Sequence, residues 1–193
     1  MRIYAVRHGL TDYNKRDILN GHIDEPLIAE GIEQAEQVID SIPKTVTHIY
    51  VSALLRAKQT AEIINKELKL PISHHDELKE VNLGSFTGKS WKEIKLGEKL
   101  RKEHRSLRYD YRPEGESVAD VKKRVLSFLE KINETHSSGE VLIVTHGGII
   151  RIFQLLESGL PSLPMNHVKN ASLYTFDLKK ILKNNANAVL PSM

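Results

Sequence analysis

The chain has 193 residues, 28 Lys+Arg against 25 Asp+Glu, a formal charge of +3 and no cysteine. Hydrophobic residues make up 40% and charged residues 27%, which excludes a disordered chain and leaves enough apolar material for a core without staples. The missing cysteine excludes disulfides, thiolate catalysis, cysteine-zinc sites and cysteine-ligated iron–sulfur clusters, and it fits a cytoplasmic location.

The first predicted element is the short apolar run Ile3 to Val6, which ends at Arg7-His8-Gly9. The N-terminus, Met1 to His8, is too short in apolar residues for a signal peptide and reads as the start of the fold. A helical stripe follows, formed by Ile32, Ala35, Val38, Ile39 and Ile42. Ile49 to Val51 is a second strand, ending at Ser52. Leu54, Ala57, Ala61, Ile64 and Leu68 form a second helical stripe. Val118, Val121, Val125, Phe128, Leu129 and Ile132 form a third, opened by Ser117 with Asp120 three residues on, the pattern of a capping box. Val141 to Val144 is the clearest strand and runs into Thr145-His146-Gly147-Gly148. A fourth helical stripe, Ile149, Ile152, Phe153 and Leu156, starts directly after it. Leu173 to Phe176 reads as a late strand, and the polar, Asn-rich tail from Lys179 is expected to be frayed or weakly docked.

Short apolar runs without polar alternation suit strands buried on both faces. Alternation with helices then predicts an α/β fold, a three-layer αβα sandwich around a mainly parallel sheet. The length suggests one domain spanning 1–193. One stretch breaks the rhythm. Trp91 to Arg112 carries eight basic and four acidic residues and few apolar ones, and is expected to be an inserted helical cap. No run of about 18 apolar residues is present, so no membrane helix is expected. The modest charge without a clustered basic face gives no reason to expect nucleic-acid binding, and no P-loop pattern occurs.

In an open parallel sheet, ligands bind beyond the carboxyl ends of the strands. Arg7 and His8 follow the first strand, Ser52 and Arg56 the second, and His146 with Gly147 the Val141 strand. Two arginines and two histidines at one sheet edge repel one another unless an anion is bound, and a phosphoryl group is the natural one, because the guanidinium fork pairs two of its oxygens. Gly147 and Gly148 ahead of a helix allow close backbone approach to such an anion. A neutral His8 imidazole is a competent nucleophile. A general acid is then needed for the leaving oxygen, and Glu80, followed by a Gly-punctuated stretch, is the best candidate. The adjacent His74-His75-Asp76 would point to opposite faces of a strand, so no metal site is expected there.

These residues resemble the histidine phosphatase superfamily, also called the phosphoglycerate-mutase-like family. The shared signatures are Arg7-His8-Gly9; Thr11 and Asn14; Asp24-Glu25-Pro26-Leu27 with Gly31; Ser52-Ala53-Leu54-Leu55-Arg56-Ala57-Lys58-Gln59-Thr60; Gly115-Glu116-Ser117; and Thr145-His146-Gly147-Gly148. They occur in the family's order and span Arg2 to about Asn170. The resemblance implies that His8 carries the phosphoryl group. Arg7, Arg56 and His146 would bind it, Asn14 would add a hydrogen bond, and Glu80 would be the proton donor and then the base. It implies no metal and no cofactor. Ile28 stands where the family usually has a capping Thr, so that cap is lost. Asn20 replaces the family's Gln in the pair before the Asp-x-Pro-Leu loop. Mutases of this family resemble one another in a Glu-Arg-x-Tyr-Gly acid segment, whereas this chain has Glu80-Val81-Asn82-Leu83-Gly84. A phosphatase acting on a small phosphorylated metabolite is therefore expected. A phosphoglycerate mutase and a non-catalytic phosphate-binding member are the alternatives.

Overall fold

The computed structural model describes residues 1–94, 113–136, 139–160 and 167–186. Five strands form one sheet: β1 (Arg2–Arg7), β2 (Val46–Ser52), β3 (Ile72–His75), β4 (Glu140–Thr145) and β5 (Leu173–Asp177). Their order is β3-β2-β4-β1-β5. β1 pairs in parallel with β4, β4 with β2, and β2 with β3, while β5 runs antiparallel at the β1 edge.

Six helices are described: α1 (Asp12–Lys15), α2 (Ala29–Gln37), α3 (Leu55–Leu68), α4 (Val118–Thr135), α5 (Gly147–Ser158) and α6 (Leu178–Asn185). The strand period of two sends alternate side chains to opposite faces. On one face Ile3, Ala5, Tyr50, Val141 and Ile143 pack against α4, α5 and α6. On the other, Tyr4, Val6, Ile49, Val51, Leu142 and Val144 pack against Ala57, Ala61 and Ile64 of α3 and against Val38, just beyond α2. The result is the expected three-layer α/β sandwich.

The caps follow the sequence. Ser117 accepts from the Asp120 amide and Asp120 from the Ser117 amide, so the capping box at α4 is formed. Ile28 at the start of α2 makes no side-chain cap bond. In α2 the buried residues are Gly31 and Ala35, while Ile32 is 42% exposed. The expected stripe is thus rotated. Gly31 lies against the backbone of Leu10 and Gly9 against that of Gly31, and a Cβ at either would collide with main chain. This close approach, rather than Ile32, seats the helix.

The tail is not frayed through its first two turns. Leu178 and Ile181 are fully buried against α4 and α5, Asp177 caps α6 through the Lys179 and Lys180 amides, and Asn185 donates to the Leu156 carbonyl. An apolar pair three residues apart is enough to dock a helix whose other face is lysine and asparagine. Of the expected cap, 95–112 lies outside the described residues. Its first residues are held in place, with Ile94 buried in a small cluster with Phe86, Leu19, Leu83 and Trp91. Among the described residues, no helix is long and apolar enough to cross a membrane.

Candidate active site

The carboxyl ends of β1, β2 and β4 lie side by side, and the His8 amide continues the ladder by donating to the Thr145 carbonyl at 2.9 Å. Arg7, His8, Asn14, Arg56, Glu80 and Gly148 therefore line one cavity of about 290 Å³. His8 and His146 face each other with ring centroids 5.1 Å apart.

Four polar side chains of the Ser52–Thr60 signature have defined partners. Ser52 Oγ meets His146 Nε2 at 2.7 Å. Gln59 Oε1 accepts from the Leu27 amide, and Thr60 Oγ1 accepts from the Gly9 amide. Arg56 is fully buried. Its Nη1 and Nη2 donate to the carbonyls of Ile23 and Gly21, at 2.7 and 2.9 Å, and its Nε donates to His8 Nε2 at 3.2 Å. His8 Nδ1 lies 2.7 Å from the Gly9 carbonyl. A carbonyl can only accept, so Nδ1 carries the proton and Nε2 presents its lone pair to the Arg56 N–H. Arg7 Nη1 donates to the Val168 carbonyl at 2.6 Å, while its buried Nε makes no hydrogen bond, and neither does His146 Nδ1.

Glu80 sits opposite. Its carboxylate accepts from the Val81 amide at 2.8 Å and from the Gly148 amide at 3.1 Å. The N-terminus of α5 thus offers an amide to Glu80, as helix N-termini do to anions. A Cβ at Gly148 would collide with Glu80 Oε1, so a larger residue there displaces the Glu80 carboxylate. Gly147 has no such constraint, since a Cβ would make only ordinary contact with Arg7 at 3.6 Å or more.

Asn170, His167 and Arg151 also line the cavity, where the sequence did not place them. Asn170 holds the site from the loop before β5, donating to the carbonyls of His8 and Gly9 and to Asn14 Oδ1. His167 comes from the same loop. Arg151 lies four residues beyond Gly147, one turn along α5, so helical spacing from the Gly pair would have found it. His74 is exposed and His75 packs on Tyr50 and Phe128, so the two do lie on opposite sides of β3.

Burial first, then the neighbouring Arg56 and Arg7, pushes His8 well below the ordinary histidine range; burial, Arg56, His8 and Arg7 do the same to His146. Burial also brings Arg7 down to about 10, against the pull of Glu80. His48 and His75 are lowered too, mainly by desolvation. Below the usual 6.5, the unfolded chain binds more protons than the folded chain at these histidines. Their contribution to stability is therefore complete above that pH and lost as the pH falls. For a fully buried histidine the loss approaches about 1.4 kcal/mol per pH unit. Thermal unfolding is expected to shift down between pH 7 and pH 5, and millimolar phosphate or tungstate should raise it at either pH by binding at Arg7 and Arg56. A melting temperature flat across that range would contradict the buried, neutral state of these rings.

The family model of the histidine phosphatase superfamily, branch 1, matches residues 3–183. An uncharacterized phosphatase, PhoE of Bacillus subtilis, is 35% identical over 89% of this chain and 85% of its own length. The probable phosphoglycerate mutase GpmB of Escherichia coli is 30% identical over 94% and 87%. A mycobacterial glucosyl-3-phosphoglycerate phosphatase, solved in complex with VO3, shares the fold with a TM-score of 0.82 at 23% identity, over 90% of each chain. With its signatures in order and its sheet edge assembled around them, the chain belongs to the histidine phosphatase superfamily, branch 1.

Proposed function

We propose that the protein is a metal-independent phosphomonoesterase that works through a phosphohistidine on His8. The observation that carries this reading is the state of His8, a buried, neutral imidazole with Nδ1–H fixed by the Gly9 carbonyl and Nε2 turned to Arg56 in the cavity. In the first step Nε2 attacks phosphorus, the N–P bond forms, and the ester P–O bond breaks. Glu80 gives its proton to the departing alkoxide. In the second, water attacks phosphorus, returns a proton to Glu80, and the N–P bond breaks. Arg7 and Arg56 line the cavity and would hold the equatorial oxygens, Asn14 would add a hydrogen bond, and His146, whose ring lies 5.1 Å from that of His8, is assigned to the same clamp. Phosphoryl transfer asks mainly for such positioning and electrostatic stabilisation.

The substrate is a small phosphorylated metabolite. Release of phosphate to water, rather than transfer to a hydroxy acid, is favoured by Val81 and Leu83, which line the cavity where mutases of the family carry Arg and Tyr. The name of GpmB keeps a mutase as the second reading. Hydrolysis of p-nitrophenyl phosphate in EDTA, with acid-labile, alkali-stable labelling of the protein, tests the first reading. A chain that interconverts phosphoglycerates but releases no inorganic phosphate would establish the second.

The role of Glu80 has its own signature. Glu80→Gln should lower turnover of an alkyl phosphate on the order of 10²–10⁴-fold, the range of general acid catalysis. p-Nitrophenolate leaves without a proton, so the aryl ester should lose far less in that step. Equal losses in kcat/KM, which reports phosphorylation and leaves out the dephosphorylation that both esters share, would remove Glu80 from the proton-donor role.

A further inference from the structure

The segment that delivers Glu80 has no regular structure between Leu78 and Gly84, so its peptide groups must find side-chain partners. Several of them find partners in one arginine–carboxylate pair. Arg124, on the second turn of α4, donates from Nη1 to the Glu77 carbonyl and from Nη2 to the Glu80 carbonyl at 3.1 Å. The same guanidinium is forked onto Glu116, Nε to Oε1 at 2.7 Å and Nη2 to Oε2 at 2.9 Å. Glu116 in turn grips Asn82 twice. Its carboxylate accepts from the Asn82 amide and its own amide donates to the Asn82 carbonyl, both at 2.8 Å. His22 Nε2 adds a second donor to the Glu80 carbonyl at 2.6 Å.

The Arg124–Glu116 pair therefore fixes the backbone on both sides of Glu80, at residues 77, 80 and 82. Neither side chain lines the cavity. Both are about four-fifths buried, at 19% and 22% exposure. Burial alone would raise the Glu116 carboxyl, but the hydrogen bonds from Arg124 and Asn82 hold it below the ordinary range, so the pair stays ionised. A bidentate arginine–carboxylate pair is the stiffest polar link available to a loop. The signature Gly115-Glu116-Ser117 thereby acquires a function beyond capping α4.

Resting on the assignment of Glu80 as proton donor, we infer that Arg124 and Glu116 are positioning residues for proton transfer, setting where the Glu80 carboxyl meets the leaving oxygen without touching substrate. A displacement of about 1 Å in such a group costs on the order of 10²-fold. Lysine keeps the charge of Arg124 but cannot span the Glu116 fork and two carbonyls at once.

Arg124→Lys is expected to lower kcat/KM for β-glycerophosphate, which reports only the phosphorylation half-reaction, about 10–100-fold. It should change kcat/KM for p-nitrophenyl phosphate less than about 3-fold, because the aryl group leaves without a proton and the phosphate clamp is intact. Glu116→Gln, which keeps an acceptor for the Asn82 amide, should show the same pattern more weakly, and carries the comparison should Arg124→Lys fail to fold. The deciding measurement is the double variant Glu80→Gln with Arg124→Lys. If Arg124 acts through Glu80, the second change adds almost nothing on β-glycerophosphate. Additive losses, or equal losses on the two esters in a folded variant, overturn the inference while leaving Glu80 in place. A Glu80→Gln single variant that does not distinguish the esters removes the proton-donor assignment, and the inference with it.

Discussion

Replacing His8 by alanine is expected to lower kcat on the order of 10⁴–10⁶-fold, the scale on which removal of a nucleophile acts in enzymes with covalent intermediates. The magnitude follows from the order of bond making. Without Nε2 no N–P bond forms, and what is left is direct attack by water on a phosphate held by Arg7, Arg56 and His146. That clamp survives the substitution, because Arg56 keeps its bonds to the Gly21 and Ile23 carbonyls and Arg7 its bond to Val168. The variant should therefore still be stabilised by tungstate, which separates loss of the nucleophile from loss of the fold. Phosphoenzyme trapping should read zero. Residual turnover within about 100-fold of the native protein, or retained labelling, would mean that another group carries the phosphoryl.

Arg56→Ala is expected to cost on the order of 10²–10³ in turnover, the usual result of removing one preorganised donor from a transition state. Arg56 occupies an unusual position. Its Nε–H is hydrogen-bonded to the lone pair of His8 that must attack phosphorus. In the resting site it thus screens the nucleophile and fixes its tautomer. On the proposed mechanism, that N–H would turn from nitrogen to a phosphoryl oxygen when substrate enters, so no new donor would have to be desolvated during the reaction. Arg56 also carries buried positive charge whose direct partners are neutral, with Glu80, Glu25 and Asp24 acting at longer range. A bound anion supplies the missing counter-charge. Part of the loss in Arg56→Ala will come from the Gly21 and Ile23 carbonyls left without their donor. Arg56→Lys, which retains the charge and cannot make all three bonds, separates the contributions. A loss below about threefold in the alanine variant would end the assignment of Arg56 to the clamp.

The part of the site legible in the sequence is the part tied to strand ends. Arg7, His8 and His146 directly end or follow apolar runs, and Arg56 opens the helix after Ser52, so a parallel sheet must bring them together. Glu80 was legible only as a carboxylate beside a glycine-punctuated stretch, because nothing local says which backbone amides will receive it. The Gly148 and Val81 amides do so through contacts 68 residues and one residue away. Arg124 escaped attention for a related reason. Within α4 it sits among the polar residues between buried apolar positions, where an arginine ordinarily meets solvent, and only the chain returning at residues 77–82 makes it a partner. Ile32 shares helical spacing with Ala35 and Val38 yet is 42% exposed. The Gly9–Gly31 contact shows that backbone proximity, which periodicity does not report, chose the buried face. The docking of α6 was missed because its lysines and asparagines outweighed Leu178 and Ile181 in composition, although two well-placed apolar side chains suffice when a neighbouring surface is already apolar.

The placement of β1 bears on how the protein is made. β1 precedes the other four strands of the sheet in the chain, yet its partners are β4 and β5, which begin at Glu140 and Leu173. The register partner of Ile3 is Val141, so at about 5–20 residues per second roughly 7–28 s of translation separate the two. Through that interval the nascent chain holds Ile3 to Val6 as an apolar strand with both hydrogen-bonding edges open, a template for pairing with other chains. Pairings this distant in sequence also slow folding after release. A chain cut short before Thr145 therefore carries His8 on an unpartnered strand, and its expected fate is aggregation or capture by a holding chaperone rather than weak activity.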